Sequence, residues 1–307
     1  MQLFLFLGSR RGYAVLKKLI EVKAQICGIL CLIEDAHEEQ FHPKITAIAQ
    51  EFSIPIFYST DVKSSEYKTV LLKVKPDIAF AIGWRYLINE EAYRIPPKGT
   101  LILHDSLLPK YRGFAPMNWA IINGESATGV TLFYIAKGVD SGPIVDQERT
   151  VIAINDTAKT VDERLIKLYE DLIVRNLPTL QTGRANSISQ DETLASYTCK
   201  RTPEDAQINW QNTALQIHNL VRGSTHPFPG AYTTLRGKKI FIWATEIPEV
   251  QENYVGSIPG RITGKRSGMI EVLTGQGVLW VKSLQYAGEV EQDAINFAIS
   301  VKDTFGR

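Results

Sequence analysis

Cysteine is scarce in this 307-residue chain. Cys27, Cys31 and Cys199 are too few and too scattered for a disulfide framework. Cys27 and Cys31 sit in an apolar run with no histidine or acid at ligand spacing, so they read as buried thiols. Net charge is nearly absent: Lys+Arg 34 against Asp+Glu 33 leaves +1. No global field therefore recruits nucleic acid or an acidic membrane surface. No apolar stretch approaches the ~18 residues of a membrane span. The apolar start, residues 1–7, is too short for a signal peptide and has no basic flank. Repeats and low-complexity tracts are missing too. His37 and His42 stand among Glu34, Asp35, Glu38 and Glu39, a charged stretch that suits a solvated loop better than a metal site, and no metal is expected. These absences point to a soluble, cytoplasmic protein of a reducing compartment, without membrane or nucleic-acid partners.

What remains is a globular composition, 44% hydrophobic and 22% charged. The length suggests one large or two modest domains, since single cores stop growing near ~250–300 residues. The first third alternates short apolar runs (residues 3–7, 26–33 and 78–82) with a helical pattern at 15–22 and a helix ending at 71–74. That cadence predicts an α/β, Rossmann-like parallel sheet with helices on both faces and ligands at the carboxyl ends of the strands. The turn Gly8-Ser-Arg-Arg-Gly12 lacks G-x-G-x-x-G spacing, and no acid ends the second strand cleanly, which argues against a dinucleotide site. A helix is expected after Asn155-Asp156-Thr157, then a polar linker at 181–192 and a second helix at 214–223. Beyond it, short strand candidates at 231–235, 239–244, 260–263, 269–273 and 278–284 suggest a smaller, mostly β, OB-like domain. The boundary is placed at 199/200, giving domains 1–199 and 200–307.

The densest chemical stretch is Leu-Ile-Leu-His-Asp-Ser-Leu-Leu-Pro-Lys-Tyr-Arg-Gly-Phe-Ala-Pro at 101–116. His104 leaves an apolar strand and enters a loop closed by Pro109, Gly113 and Pro116. Strand exits are where such sheets present reactive side chains. A lone histidine is more often a satisfied core or surface residue, but a second element adds to it. Residues 131–135 read as a strand, and Lys137-Gly-Val-Asp-Ser-Gly142 as a flexible loop able to carry Asp140 toward His104. A carboxylate beside an imidazole fixes its tautomer and favours its protonated form, which suits a general base near neutral pH.

Ser106-Leu-Leu-Pro-Lys-Tyr-Arg-Gly113, followed by Gly129-Val-Thr131 and Asp140-Ser-Gly142, resembles the folate-dependent formyltransferase family. That family includes methionyl-tRNA, glycinamide ribonucleotide and sugar N-formyltransferases. The resemblance covers nearly the whole chain. Arg201-Thr-Pro-Glu-Asp205, Ile208-Asn-Trp210, His218-Asn219, Val221-Arg222 and Pro227-Phe-Pro-Gly-Ala231 are similar to the nucleotide-sugar branch, in particular the UDP-4-amino-4-deoxy-arabinose type. The resemblance implies transfer of a formyl group from N10-formyltetrahydrofolate to the primary amine of a nucleotide-linked amino sugar. His104 aligns with the family's catalytic histidine and Asp140 with its aspartate partner. Trp84, Arg85, Tyr86, Leu87 and Ile88, with Ile102 and with Lys137, Gly138, Val139 and Asp140, match positions around the pteridine and the formyl group.

One departure stands out. The family has an asparagine two positions before the histidine, and here that position is Ile102. An amide aimed at a developing oxyanion is typically worth about 10²–10³ in rate, and an aliphatic side chain cannot supply it. Three readings stay open: another donor substitutes (protonated His104, a backbone N–H, Asn118 or an ordered water), the enzyme is slow but sufficient, or the protein is a binding relative. Phe114 stands where the arabinose-type enzymes have a basic residue, so the acceptor sugar can differ. Candidate substrate contacts are Ser106, Tyr111, Arg112, Asn118, Trp119, Lys200 and Arg201, with cations for a diphosphate and ring surfaces for a base. His218 and His226 are expected to be structural. Sugar formyltransferases are often dimers, so a homodimer is expected by analogy alone. The tRNA alternative calls for a basic C-terminal domain, yet residues 200–307 hold 12 Lys and Arg against 10 Asp and Glu.

Overall fold

The run at residues 3–7 has no polar side chain to place in water, so it makes a strand covered on both faces. It forms β1 (Gln2–Leu7), buried at every position after the first. The computed structural model describes residues 1–36, 38–183 and 185–307, and His37 lies outside them. After β1 come α1 (Ser9–Glu21), β2 (Gln25–Cys31), α2 (His42–Glu51), β3 (Ile56–Tyr58), α3 (Tyr67–Val74), β4 (Ile78–Ile82), α4 (Glu90–Tyr93) and β5 (Thr100–His104). The chain continues through β6 (Arg112–Gly113), α5 (Pro116–Ile122), β7 (Ala127–Tyr134), β8 (Ile144–Val151), α6 (Ala158–Thr182), β9 (Tyr197–Thr198) and α7 (Ala214–Ser224). It ends with β10 (Ala231–Leu235), β11 (Lys238–Glu246), β12 (Ile262–Arg266), β13 (Met269–Leu273), β14 (Val278–Tyr286) and the short β15 (Gln292–Asp293).

Two compact units result, each gathered from separate stretches. The first holds residues 1–113, 128–150 and 163–197, and the second holds 114–127, 151–162 and 198–307. The first is built on a seven-stranded sheet in the order β3-β2-β1-β4-β5-β7-β8. β1 pairs in parallel with β2 and β4, and β4 with β5, as the strand–helix cadence predicts. β7 instead runs antiparallel to β5. An antiparallel neighbour needs no covering crossover, so the parallel sheet that the cadence predicts carries an antiparallel strand beside β5. Alternate residues of β1 face opposite ways. Phe4 and Phe6 enter a cluster with Tyr67, Val70 and Leu71 of α3 and Ala92 of α4, while Gly12 of α1 lies against Leu7.

The strand order reverses between β1 and β4, the position where a crevice opens at the carboxyl ends in such sheets. Two glycines close that end. Gly83 has φ +63, and a Cβ there would stand 2.2 Å from the Gly8 carbonyl oxygen, so no other residue fits.

The second unit has an antiparallel sheet, β10-β11-β14-β13-β12, with β15 added to β14. α7 covers it, started by a capping box in which Thr213 and Gln216 satisfy each other's backbone N–H. Ile217 and Val221 of α7 share a core with Ile240, Ile242, Val272, Leu279 and Val281. The strand expected at 260–263 begins later, at Ile262. Gly260 is a turn residue with φ +87, and a Cβ there would be 2.3 Å from the Phe305 carbonyl oxygen.

Candidate active site

His104 ends β5 and is 8% exposed. Its neighbour Asp105 is not its partner. That carboxylate is forked by Arg11 (Nε to Oδ1 2.9 Å, Nη2 to Oδ2 2.7 Å) and also accepts from the Tyr169 hydroxyl. The His104 ring is held from the other side, with Nε2 2.9 Å from the Tyr111 carbonyl oxygen. A carbonyl can only accept, so Nε2 carries the hydrogen, and in the neutral ring the lone pair lies on Nδ1. Nδ1 faces Asp140, whose Oδ2 stands 3.7 Å away, beyond hydrogen-bond reach. The same Oδ2 accepts from the Gly113 N–H at 2.8 Å. The tautomer is therefore set by a backbone carbonyl and not by Asp140, which corrects the sequence expectation.

Two further loops flank the strand that carries His104. After β4, the Trp84 ring packs edge-on against Phe6, Tyr67 and Tyr86 at 5.4, 5.9 and 5.7 Å between centroids. Its indole Nε1 is buried without an acceptor among the described residues. Arg85 pairs with Glu38 at 2.8 Å and Asp35 at 3.5 Å. Tyr86 is exposed, Leu87 is 84% exposed, and Ile88 is buried in the cluster around Phe4 and Phe6. Ile88 is thus a core residue and not a cover for a ligand, because its side chain turns inward beside Ala92. After β7, Lys137, Gly138 and Val139 are exposed, Val139 by 54%. Ile102 lies on the face of β5 that His104 shares and packs against the buried cluster around Phe4 and Phe6, as Trp84 and Ile135 also do. No amide stands there. Leu87 and Val139 are exposed apolar side chains of these two loops.

The expected substrate contacts divide. Ser106 is buried and donates to the Lys110 carbonyl at 2.7 Å, closing its own loop. Arg112 is fully buried. Its guanidinium donates to both oxygens of Glu192 at 2.8 Å, to Gln190 Oε1 and to the Tyr197 hydroxyl. That fork consumes the donors a phosphate would need, so Arg112 is a structural clamp. Its pKa is raised, first by its hydrogen bonds to Glu192. Asn118, in the second unit, donates from Nδ2 to the Gly223 carbonyl at 2.8 Å and ties α5 to α7. Trp119 donates from Nε1 to the Cys199 carbonyl at 3.0 Å and carries the Arg201 guanidinium 5.0 Å above its ring. Arg201 also reaches Ser224 Oγ at 3.2 Å, and burial lowers its pKa. Lys200 is exposed, and Tyr111 is half-buried.

The segment expected as a linker at 181–192 is only partly one. α6 continues to Thr182, and residues 188–197 stay within the first unit. Ile188 exchanges two backbone hydrogen bonds with Ile144, both 2.8 Å, and Ser196 accepts from the Tyr111 and Arg112 backbone N–H groups. Composition hid this strap, because its ties are side-chain forks rather than a hydrophobic period. Cys31 is buried and Cys27 half-buried, and burial pushes their thiols up to about 12 and about 11. Among the described residues, no group of three or more His, Cys, Asp or Glu is placed to hold a metal ion, and no helix is long and apolar enough to cross a membrane.

Residues 17–177 match the formyl transferase family profile, and residues 200–302 match that of the formyl transferase C-terminal domain. The bifunctional polymyxin resistance protein ArnA of Wigglesworthia glossinidia brevipalpis is 34% identical over 281 residues. The alignment covers 90% of this chain and 43% of that protein, so the chain spans less than half of this relative's length. Among solved structures, HypX of Aquifex aeolicus in complex with tetrahydrofolic acid superposes with a TM-score of 0.66 at 18% identity, over 95% of this chain and 46% of that one. The N-formyltransferase of Helicobacter canadensis, in complex with folinic acid and dTDP-3-aminofucose, reaches 0.68 at 18% identity, over 93% and 98%. At these identities, the two structures establish a shared fold.

Proposed function

The chain belongs to the formyl transferase family, and on that premise we propose that it moves a formyl group from N10-formyltetrahydrofolate to the primary amine of a nucleotide-linked amino sugar. The observation that carries this reading is the His104 ring: Nε2 is committed to the Tyr111 carbonyl, and Nδ1 is turned toward Asp140 at 3.7 Å. The formyl donor supplies the activated one-carbon unit. His104 Nδ1 receives the proton that the attacking amine releases, and Asp140 balances the imidazolium charge. Leu87 and Val139 cover the apolar face of the pterin, while the backbone of 84–88 and 137–140 offers hydrogen bonds to its polar edge. Lys200 and the Arg201–Trp119 pair, all in the second unit, supply charge and ring surface for the nucleotide. The resemblance to ArnA and the dTDP-3-aminofucose bound by the Helicobacter canadensis protein support a sugar acceptor.

The test is turnover. Purified chain with N10-formyltetrahydrofolate is offered a panel of UDP- and dTDP-linked amino sugars, and formylated product is read by mass. One acceptor is expected to be formylated, with the rate falling by at least about 10²-fold in His104→Ala. A His104→Ala variant as fast as the parent removes the general base. Ile102 motivates a second reading, a folate- and nucleotide-sugar-binding relative with little turnover. Tight binding of both ligands without product would select it.

A further inference from the structure

We infer that Gln190 is a positioning residue that locks the Asp140 loop onto the His104 loop. The inference rests on the reading above, in which His104 and Asp140 carry the chemistry. His104 ends β5, which pairs with β7, but Asp140 lies on the loop beyond the end of β7, whose course the strand pairing does not itself fix. Both loops also hold residues in the left-handed region, Tyr111 at φ +59 and Asp140 at φ +47. Side-chain-bearing residues persist there only when their surroundings hold them.

A glutamine side chain has one acceptor oxygen and two N–H donors, and Gln190 uses all of them. Its Oε1 accepts from Arg112 Nε at 3.1 Å and Nη2 at 2.8 Å. Its Nε2 donates to the Asp140 carbonyl at 2.8 Å and the Gly142 carbonyl at 2.7 Å. The orientation of the amide is unambiguous, because guanidinium can only donate and carbonyls can only accept. Asp140 Oδ2 then accepts from Gly113 N–H at 2.8 Å, one residue beyond Arg112. The result is a closed circuit, Arg112 to Gln190 to Asp140 to Gly113. Gln190 itself is placed by the Ile188–Ile144 bridge two residues earlier. Its amide touches neither reacting group, so it acts through Asp140.

Two substitutions in the full chain separate positioning from mere support. Gln190→Glu keeps an oxygen for Arg112, and so keeps the strap anchored, but turns a second oxygen onto two carbonyls. Gln190→Met keeps the length and removes both sets of bonds. Activity is measured with N10-formyltetrahydrofolate and whichever panel acceptor the parent formylates. Amide hydrogen exchange is followed at Gly113, with Leu5 and Phe80 in the central strands as controls for global folding. In both variants kcat is expected to fall by about 10²-fold, as for a misplacement of about 1 Å, with KM values within about threefold of the parent. Gly113 exchange is expected to rise at least about tenfold, while Leu5 and Phe80 stay protected.

A Gln190→Glu variant with parental kcat and parental Gly113 exchange overturns the proposal, because anchoring alone then suffices. So does equal acceleration at Gly113, Leu5 and Phe80 in both variants, which marks a purely global role. If the parent formylates no acceptor but Gly113 alone loosens, the positioning stands and the proposed reaction fails.

Discussion

At the residue scale, the proposed chemistry turns on two atoms: His104 Nδ1 and whatever faces the formyl oxygen. The first is settled by a backbone carbonyl. Tyr111 can present that carbonyl because its φ of +59 turns it back toward β5. The second is open at Ile102, an aliphatic residue packed against the cluster around Phe4 and Phe6, where the sequence resemblance implies an amide. Ile102→Asn is expected to raise kcat by about 10²-fold by restoring a donor. It is also expected to lower stability by about 1–2 kcal/mol, because a polar group enters an apolar cluster. Steady-state rates beside a denaturant titration check both signs. An unchanged rate would mean that another donor already serves the oxyanion.

At the scale of elements, the loop after β5 and the strap at 188–197 depend on each other. Arg112 is the joint: its planar fork reaches Gln190, Glu192 and Tyr197 at once. Lysine is a point charge and cannot span three acceptors. Arg112→Lys is therefore expected to loosen the strap without unfolding the sheet, at a cost of about 2 kcal/mol for the lost charge-assisted bonds. Limited proteolysis would show new cleavage within 185–199 while the remainder resists. Cleavage spread along the whole chain would contradict a local role. The strap also shows where sequence reading stops. Gln190, Glu192 and Tyr197 look like linker residues, since their partner lies about 80 positions away and hydrophobic periodicity is blind to side-chain forks. The same limit hides the tie of Asn118 to Gly223, which spans 105 positions. His104, by contrast, was legible because its strand exit, its glycine–proline loop and its motif coincide within sixteen residues.

At the scale of the whole molecule, stability carries a pH signature from the second unit. Burial holds the His218 imidazole below the usual histidine range, and Arg222 and Lys282 add to that. The ring bonds to Thr245 Oγ1 at 2.9 Å and the Ile154 carbonyl at 3.1 Å. With its folded pKa below the unfolded value of about 6.5, the unfolded chain binds the proton more readily. Stability is therefore fully present above about pH 6.5 and is lost below it, with a slope of at most about 1.4 kcal/mol per pH unit from this residue. Denaturant titrations at two pH values, one on each side of that point, are expected to show a smaller difference in His218→Gln than in the parent. Equal differences would exclude His218 as the source. Composition and pattern alone determined the α/β first part, the β-rich second part and the histidine at a strand exit, because apolar period and turn residues are local properties. Only the tertiary structure decided which nitrogen of that histidine is free, that Arg112 and Asn118 are tied up, and that a polar stretch straps the loops. Those facts depend on hydrogen bonds between residues far apart in the chain, and directional contacts of that kind exist only once the backbone has brought their donors and acceptors within about 3 Å.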